Sequence, residues 1–177
     1  PAEGASGAAG VAFNLHRQAQ SQRARTLAMI LLPLAGDYTI PLRRAPDVRQ
    51  ACTEAYGIGG EPSVVSLREL LGLIGAHEWR KKGVEIPLLG ARIHPHYGVY
   101  SPVRGEYVGL VNDAPFPPAF QTPELAFDIG TGTGELAAVL ARRGVAHVVA
   151  TDQDPRALAC ARDNLERLNL TAQVEVV

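Results

Sequence analysis

The sequence is poor in cysteine, methionine and tryptophan. Its 177 residues include two cysteines, one methionine and one tryptophan. Cys52 and Cys160 lie far apart, and each falls within a helical pattern. This usage excludes a disulfide scaffold and a zinc site built on closely spaced cysteines. We therefore expect both thiols to be buried as small hydrophobic side chains of a cytoplasmic protein.

Long apolar runs are absent as well. No apolar run approaches about 18 residues, the length of a membrane-spanning helix, so we expect no membrane partner. The start, PAEGASGAAG, has neither the positively charged region nor the apolar region of a signal peptide. Because Met29 is the only methionine, position 1 is not a translation start as written. We expect an N-terminal fragment of a longer protein, or a processed start.

The charge is nearly balanced but unevenly distributed. The chain has 17 basic and 18 acidic residues, for a formal net charge of −1. Counted along the sequence, residues 1–105 have a net charge of +4 and residues 106–177 one of −5. A basic front part favours an acidic partner such as nucleic acid. Scattered solvated charge is the alternative, since no basic cluster is longer than Arg80–Lys82.

Residues 13–83 are predicted to form a small helical domain for accessory or substrate-recognition roles. A Gly/Ala-rich segment at 1–12 precedes it and is predicted to be a flexible lead-in. The first helix is predicted to end at Pro33. A later helix begins at a capping box, in which Ser66 and Glu69 each satisfy the other residue's free backbone N–H.

Residues 84–123 are predicted to contain a hairpin, a helix and a proline-rich linker. Alternating apolar residues indicate an edge strand, weakened by Pro87 and Pro95. His94 and His96 share one face of this strand. A metal site needs a third ligand, and the sequence indicates none, so we expect exposed histidines and no metal.

Residues 124–177 alternate strands and helices in the order β-α-β-α-β. LAFDI and HVVAT are apolar runs typical of buried strands, and QVEVV begins a third. Such alternation predicts a parallel, doubly wound sheet of the Rossmann-like type, of which 54 residues make one half. The predicted fold class is α/β: a small N-terminal helical domain and hairpin, followed by the first half of a Rossmann-like sheet.

The strongest motif is a glycine-rich turn between the first of these strands and the first helix. It reads Asp128-Ile-Gly130-Thr131-Gly132-Thr-Gly134. Glycines let the backbone turn tightly and let a ligand reach the main chain, while the helix N-terminus presents free N–H groups. Asp152 follows the second strand, where an acidic residue can accept hydrogen bonds from ribose hydroxyls.

Two other interpretations of the glycines stay open at this point. Glu135 stands where the Gly-x-Gly-x-x-Gly dinucleotide fingerprint has glycine or alanine. A shifted match from Gly132 to Ala137 leaves a Rossmann dinucleotide-binding oxidoreductase, using nicotinamide or flavin, as one alternative. In the other alternative, the glycines form only a tight turn and bind nothing.

The motif and the residues after it resemble a known family. DIGTGTG followed by TDQDPRALACARDNLERLNL is similar to the first motif and the post-motif region of class I S-adenosylmethionine-dependent methyltransferases. More narrowly, residues 125–177 resemble the methyltransferase small domain branch. That branch includes release-factor glutamine methyltransferases and amino-group methyltransferases of RNA and DNA. The resemblance implies S-adenosylmethionine as the cofactor and makes residues 124–177 an incomplete cofactor-binding domain.

The resemblance also implies roles for individual residues. Asp128 would lie near the methionine amino group of the cofactor. Asp152 would accept both ribose hydroxyls, and Gln153 would lie beside the adenine. The loop under the methionine and ribose would consist of Gly130, Thr131, Gly132 and Gly134.

A weaker likeness lies upstream, where residues 98–111 are similar to the segment preceding this motif in glutamine methyltransferases. It implies that Tyr100, Arg104 and Glu106 line the substrate side. In that branch an Asn-Pro-Pro-aromatic motif after the fourth strand holds the acceptor nitrogen. The sequence contains no Asn-Pro-Pro. We therefore expect the catalytic residues beyond Val177, and no methyl transfer by these 177 residues alone.

The sequence thus predicts a methyltransferase acting on an amino or amide nitrogen of a protein or nucleic acid. A non-catalytic cofactor-sensing or protein-docking module is the alternative from another class. With half of the doubly wound sheet in the sequence, strand 125–129 would have an unpaired edge. Such an edge presents free backbone groups, and we expect a second copy of the chain to cover it.

Overall fold

The computed structural model describes residues 3–100, 105–118 and 123–177. The chain divides into two compact units, Pro1–Ile74 and Gly75–Val177. This division falls within the third helix, whereas the sequence predicted a boundary at 83/84. Among the described residues, no helix is both long enough and apolar enough to cross a membrane.

The first unit combines helices with a two-stranded antiparallel sheet. Its elements are α1 (Glu3–Met29), β1 (Leu31–Leu34), α2 (Arg49–Tyr56), β2 (Ser63–Ser66) and the first half of α3 (Leu67–Lys82). Residues 3–12, predicted as a flexible lead-in, are helical. The high helix propensity of their alanines accounts for this difference, even though glycines are interspersed.

Strand β1 departs from the expectation that the first helix continues to Pro33. Instead, Leu31 pairs with Ser66 and Pro33 with Val64. A short apolar run fits a helix or a strand equally well by periodicity, so pairing with a distant segment decides its structure. Proline lacks a backbone N–H, and the edge of a small sheet tolerates this.

The start of α3 confirms one half of the predicted capping box. Ser66 Oγ accepts a hydrogen bond from the Glu69 N–H at 3.2 Å. The Glu69 carboxylate does not return to the cap but accepts the Tyr56 hydroxyl at 2.5 Å. Cys52 lies in the core of this unit, and Cys160 in that of the second; both are free and buried, as predicted.

The second unit is built around a three-stranded parallel sheet. After the end of α3 its elements are β3 (Val84–Ile86), a 3-10 turn (Pro87–Leu89), β4 (Ala91–Ile93), α4 (Glu106–Asp113), β5 (Leu125–Ile129), α5 (Glu135–Arg142), β6 (His147–Thr151), α6 (Pro155–Arg167) and β7 (Val174–Val176). The sheet order is β5-β6-β7, and β3 and β4 form an antiparallel hairpin. The predicted α/β class and β-α-β-α-β order are confirmed.

One hydrophobic core holds the second unit together. Apolar residues of the hairpin, of α4 and of the inner face of the sheet share it with α5 and α6; among them are Ile86, Ile93, Val108, Val139, Val148 and Leu165. The outer face of β5 is different. Leu125, Phe127 and Ile129 are 50%, 60% and 75% exposed, respectively. Among the described residues, β5 pairs with β6 on one side and with no strand on the other.

Candidate functional site

The glycine-rich loop lies where β5 ends, beside the carboxyl end of β6. The N–H groups of Gly130 and Thr131 both donate to the Thr151 carbonyl at 2.8 Å. The Gly132 N–H donates to Asp152 Oδ2 at 3.0 Å. The loop is therefore tied to the end of β6, which carries the predicted ribose-binding acid.

Each motif glycine has a backbone conformation that favours glycine. The φ angles of Gly130, Gly132 and Gly134 are 79°, 55° and 80°. A Cβ on Gly134 would lie 3.2 Å from the Ala161 Cα, so this glycine also permits close approach of α6. A Cβ on Gly130 would meet nothing within 4 Å. The space beside Gly130, at the start of the loop, is therefore open to a ligand.

Asp128 holds the loop in shape. Its side chain is 8% exposed, and Oδ2 accepts the Thr131 hydroxyl at 2.7 Å and the Ala137 N–H at 3.1 Å. The second of these bonds satisfies a free N–H in the first turn of α5. A carboxylate at a helix N-terminus is also stabilised by the helix dipole. Asp128 thus connects β5, the loop and α5.

A cavity of about 290 Å³ opens above the loop. It is lined by Tyr100, Tyr107, Asp128, Gly130, Thr131, Gly132, Thr133, Glu135 and Leu136. The structure thus brings five of the predicted site residues together: Tyr100, Asp128, Gly130, Thr131 and Gly132.

The remaining predicted site residues do not line this cavity. Asp152 is half-buried at the strand end and reaches the loop through Gly132, and Gln153 beside it is exposed. Gly134 lies under the loop against α6. Glu106 is exposed on the first turn of α4. Arg104 lies outside the described residues.

Four cavity residues were not predicted as site residues: Tyr107, Thr133, Glu135 and Leu136. Two of them, Glu135 and Tyr107, are hydrogen-bonded to each other. Glu135 is 3% exposed, and its Oε2 accepts the Tyr107 hydroxyl at 2.8 Å. Its Oε1 is buried without a hydrogen-bond partner among the described residues. Burial raises the pKa of Glu135 to about 7, and the hydrogen bond from Tyr107 opposes part of this rise. Burial also raises the pKa of Tyr107.

The sequence offered a weak signal for this pair. Glu135 stood out because it departs from the dinucleotide fingerprint, and Tyr107 lay next to the predicted Glu106. Their contact spans 28 positions and depends on how α4 packs against α5. No local pattern encodes such a contact.

The two histidines are partly buried, so the expectation of exposed side chains was wrong. The chain leaves β4 at Ile93 and then runs along α6. The His94 N–H donates to Asn164 Oδ1 at 2.8 Å, and Asn164 Nδ2 donates to the Thr133 carbonyl at 3.0 Å. His96 Nε2 lies 2.9 Å from Asp163 Oδ2. The segment before Tyr100 is therefore anchored to α6 and to the glycine loop.

The arrangement suits a ligand that has a nucleoside at one end and a polar group at the other. Asp152 lies beside the loop, and the cavity above the loop extends to Glu135 and Tyr107. Within the described ranges, no group of three or more histidine, cysteine or acidic side chains could hold a metal ion.

Part of the chain is similar in sequence to known methyltransferases. Residues 126–177 match the sequence model of a family described as "Methyltransferase domain". The chain is 48% identical over 58 residues to the ribosomal protein L11 methyltransferase of Pelobacter propionicus, covering 33% of this chain and 18% of that protein. It is 42% identical over 74 residues to the release factor glutamine methyltransferase of Cereibacter sphaeroides, covering 41% and 25%. The chain thus spans a quarter or less of these relatives.

Solved structures give a weaker likeness. The N-terminal domain of human METTL16 in complex with SAH is 20% identical, with 76% of this chain and 55% of that chain covered. The TM-score is 0.38, which is too low to support an argument about fold or function.

Proposed function

We propose that the protein to which these 177 residues belong is a class I S-adenosylmethionine-dependent methyltransferase that acts on an amino or amide nitrogen, because residues 126–177 match a methyltransferase family. The observation that carries the proposal is the open glycine loop with Asp152 at the adjoining strand end. The family identifies the cofactor as S-adenosylmethionine and favours it over the dinucleotides that the glycines alone left open.

The acceptor class follows from the relatives. Those described above are named for methylating ribosomal protein L11 and a release factor glutamine. We therefore favour a protein acceptor over a nucleic acid. In this proposal the helical region at 13–83 recognises the acceptor, and the protein acts in the cytoplasm, where unpaired thiols such as Cys52 and Cys160 are usual.

Asp152 is the proposed ribose-binding residue. Its Oδ2 accepts the Gly132 N–H and its Oδ1 the Asp154 N–H, both at 3.0 Å. An ionised carboxylate offers about four lone-pair sites, so each oxygen keeps capacity for a ribose hydroxyl. These backbone bonds hold the carboxylate in a fixed position. The exposed Gln153 then lies on the adenine side, and Gly130 to Gly134 lie under the methionine.

Catalysis in this proposal is mostly positioning. S-adenosylmethionine supplies an activated methyl group when bound, so the protein has to orient it and bring the acceptor nitrogen to it. Tyr100, which is 66% exposed at the cavity, is the proposed contact with the acceptor. Arg104 and Glu106 complete the proposed substrate side. Because the sequence contains no Asn-Pro-Pro, we propose that these 177 residues bind cofactor without transferring the methyl group.

The open edge of β5 is a proposed contact between copies of the chain. Unpaired strand edges with apolar side chains readily add another strand. Among the described residues β5 pairs with a strand on one side only, and its Leu125, Phe127 and Ile129 side chains are exposed. A second copy is therefore the proposed occupant of this edge.

The ribose contact is tested with Asp152→Ala. Losing hydrogen bonds to a charged group should weaken S-adenosylmethionine binding by about 1.5–3 kcal/mol, as measured by calorimetry. Asp154→Asn is the matched control, because asparagine keeps the N-cap of α6 and leaves the ribose contact in place. Unchanged affinity in Asp152→Ala would contradict the proposed contact.

A further inference from the structure

The cavity contains one acceptor atom that the described residues leave unsatisfied. Glu135 Oε1 is buried and has no hydrogen-bond partner among them. A buried carboxyl group without its hydrogen bonds is costly, so such an atom indicates a missing donor. The other oxygen, Oε2, is held by the Tyr107 hydroxyl at 2.8 Å. The carboxyl group is thus held by Tyr107, and Glu135 is one of the residues that line the cavity.

We propose that Glu135 binds the α-ammonium group in the methionine part of the cofactor, and that Tyr107 is its positioning residue. This inference rests on the proposed function, because it assigns one end of the same ligand. It goes further by adding a contact that depends on α4, the helix before the glycine motif. It also gives a defined role to Glu135 and Tyr107, which were not predicted as site residues.

Of the polar groups of the cofactor, the ammonium group is the one best suited to bind Glu135 Oε1. An unsatisfied, acidic acceptor requires an N–H or O–H donor, and a positive charge on the donor strengthens the bond. The sulfonium group is cationic but has no hydrogen to donate. The carboxylate of the methionine part would be repelled by Glu135. The ribose hydroxyls belong to the Asp152 end of the site.

Asp128 uses one carboxylate oxygen to shape the loop. Its Oδ2 already accepts hydrogen bonds from Thr131 and Ala137, which keep the loop and α5 in place. Glu135 differs in that its Oε1 is buried without a partner among the described residues. In this account Asp128 shapes the loop, and Glu135 receives the charge.

Tyr107 acts through Glu135. Its hydroxyl donates to Oε2 and so holds the carboxyl group in place. It also favours the ionised form of Glu135, since this hydrogen bond opposes the effect of burial on the pKa. The other titratable groups that line the cavity are Tyr100 on the segment before α4 and Asp128 on β5.

The test compares two ligands that differ only in the amino group. S-adenosylhomocysteine and its deaminated analogue are titrated into the wild-type protein and into Glu135→Gln, with calorimetric detection. We expect Glu135→Gln to bind S-adenosylhomocysteine about 10- to 100-fold more weakly and the deaminated analogue with unchanged affinity. Glu166→Gln, an exposed acid on α6, is the matched control.

A pH series separates a direct contact from a structural role. The ionised carboxylate binds the ammonium group, so wild-type affinity for S-adenosylhomocysteine should fall as the pH drops below about 7. Glu135→Gln should lose this dependence, and Tyr107→Phe should move it to higher pH.

The outcomes are distinguishable. Equal losses for both ligands in Glu135→Gln, or no loss for either, would overturn the ammonium contact while leaving the proposed function intact. Failure of the wild-type protein to bind either ligand would overturn both.

Discussion

The two faces of strand β5 differ in how well other described residues cover them. Toward α5, Asp128 is 8% exposed, and two donors share its Oδ2. On the opposite side, Phe127 and Ile129 are 60% and 75% exposed. One short strand therefore ends in an ordered polar site and also presents an apolar surface that its own unit leaves open. Substitutions on the two sides should behave differently.

The largest effect is expected under the glycine loop, at Gly134. Its φ of 80° disfavours any side chain, and a new Cβ would lie 3.2–3.4 Å from atoms of Ala161. A side chain at positive φ strains the backbone, and the new Cβ crowds α6. Because the two costs add, Gly134→Ala should lower the free energy of unfolding by about 2–4 kcal/mol. Urea denaturation measures this change.

Gly130→Ala is the matched control. Its φ is 79°, but a new Cβ would meet nothing within 4 Å. We expect Gly130→Ala to lower the free energy of unfolding by the backbone strain alone, about 1–2 kcal/mol. Equal losses at the two glycines would show that α6 does not depend on the absence of a side chain at Gly134.

The next effect is electrostatic and concerns the unliganded protein. Burial raises the pKa of Glu135 from 4.5 to about 7, so the folded state holds this proton more tightly than the unfolded state. The contribution to stability is fully present below pH 4.5 and is lost as the pH rises to about 7. The free energy of unfolding of Glu135→Gln, relative to that of the wild type, should therefore rise by up to about 3 kcal/mol between pH 4 and pH 8. A difference that stays constant over this range would contradict the shifted pKa.

The smallest effect on stability is expected on the outer side of β5. Phe127→Lys removes an exposed apolar side chain, so the free energy of unfolding should change by no more than about 0.5 kcal/mol. Association should change more, because a charge on an edge strand opposes pairing between copies. Light scattering over a range of concentrations should show association in the wild type and monomers in the variant. Leu110→Lys, at another exposed apolar position on α4, is the control, and a monomeric wild type would contradict the proposed contact between copies.

The local parts of the fold and site were predictable from the sequence. The glycine spacing, the acid after β6 and the Asp154-Pro155 start of α6 each act within a few residues. The structure has the loop at the end of β5, with positive φ at the three glycines and an N-cap hydrogen bond from the Arg156 N–H to Asp154. These features are dictated by backbone geometry, which is why the sequence patterns indicate them.

The features missed by the sequence all depend on contacts between distant segments. Strand β1 exists because Leu31–Leu34 pairs with β2. The histidines are partly buried because Asn164 connects His94 with the loop, and Glu135 has a shifted pKa because α4 and α5 bury it together. Periodicity carries no information about such partners. The exposed-histidine expectation failed for this reason.

The proposed ligands of the cavity above the glycine loop are S-adenosylmethionine and its product, and not a dinucleotide. Calorimetry of the wild-type protein with S-adenosylhomocysteine and, separately, with NADH tests this proposal most directly. We expect saturable binding of S-adenosylhomocysteine and no binding of NADH under the same conditions. Preferential binding of NADH would contradict both the proposed function and the assignment of the site.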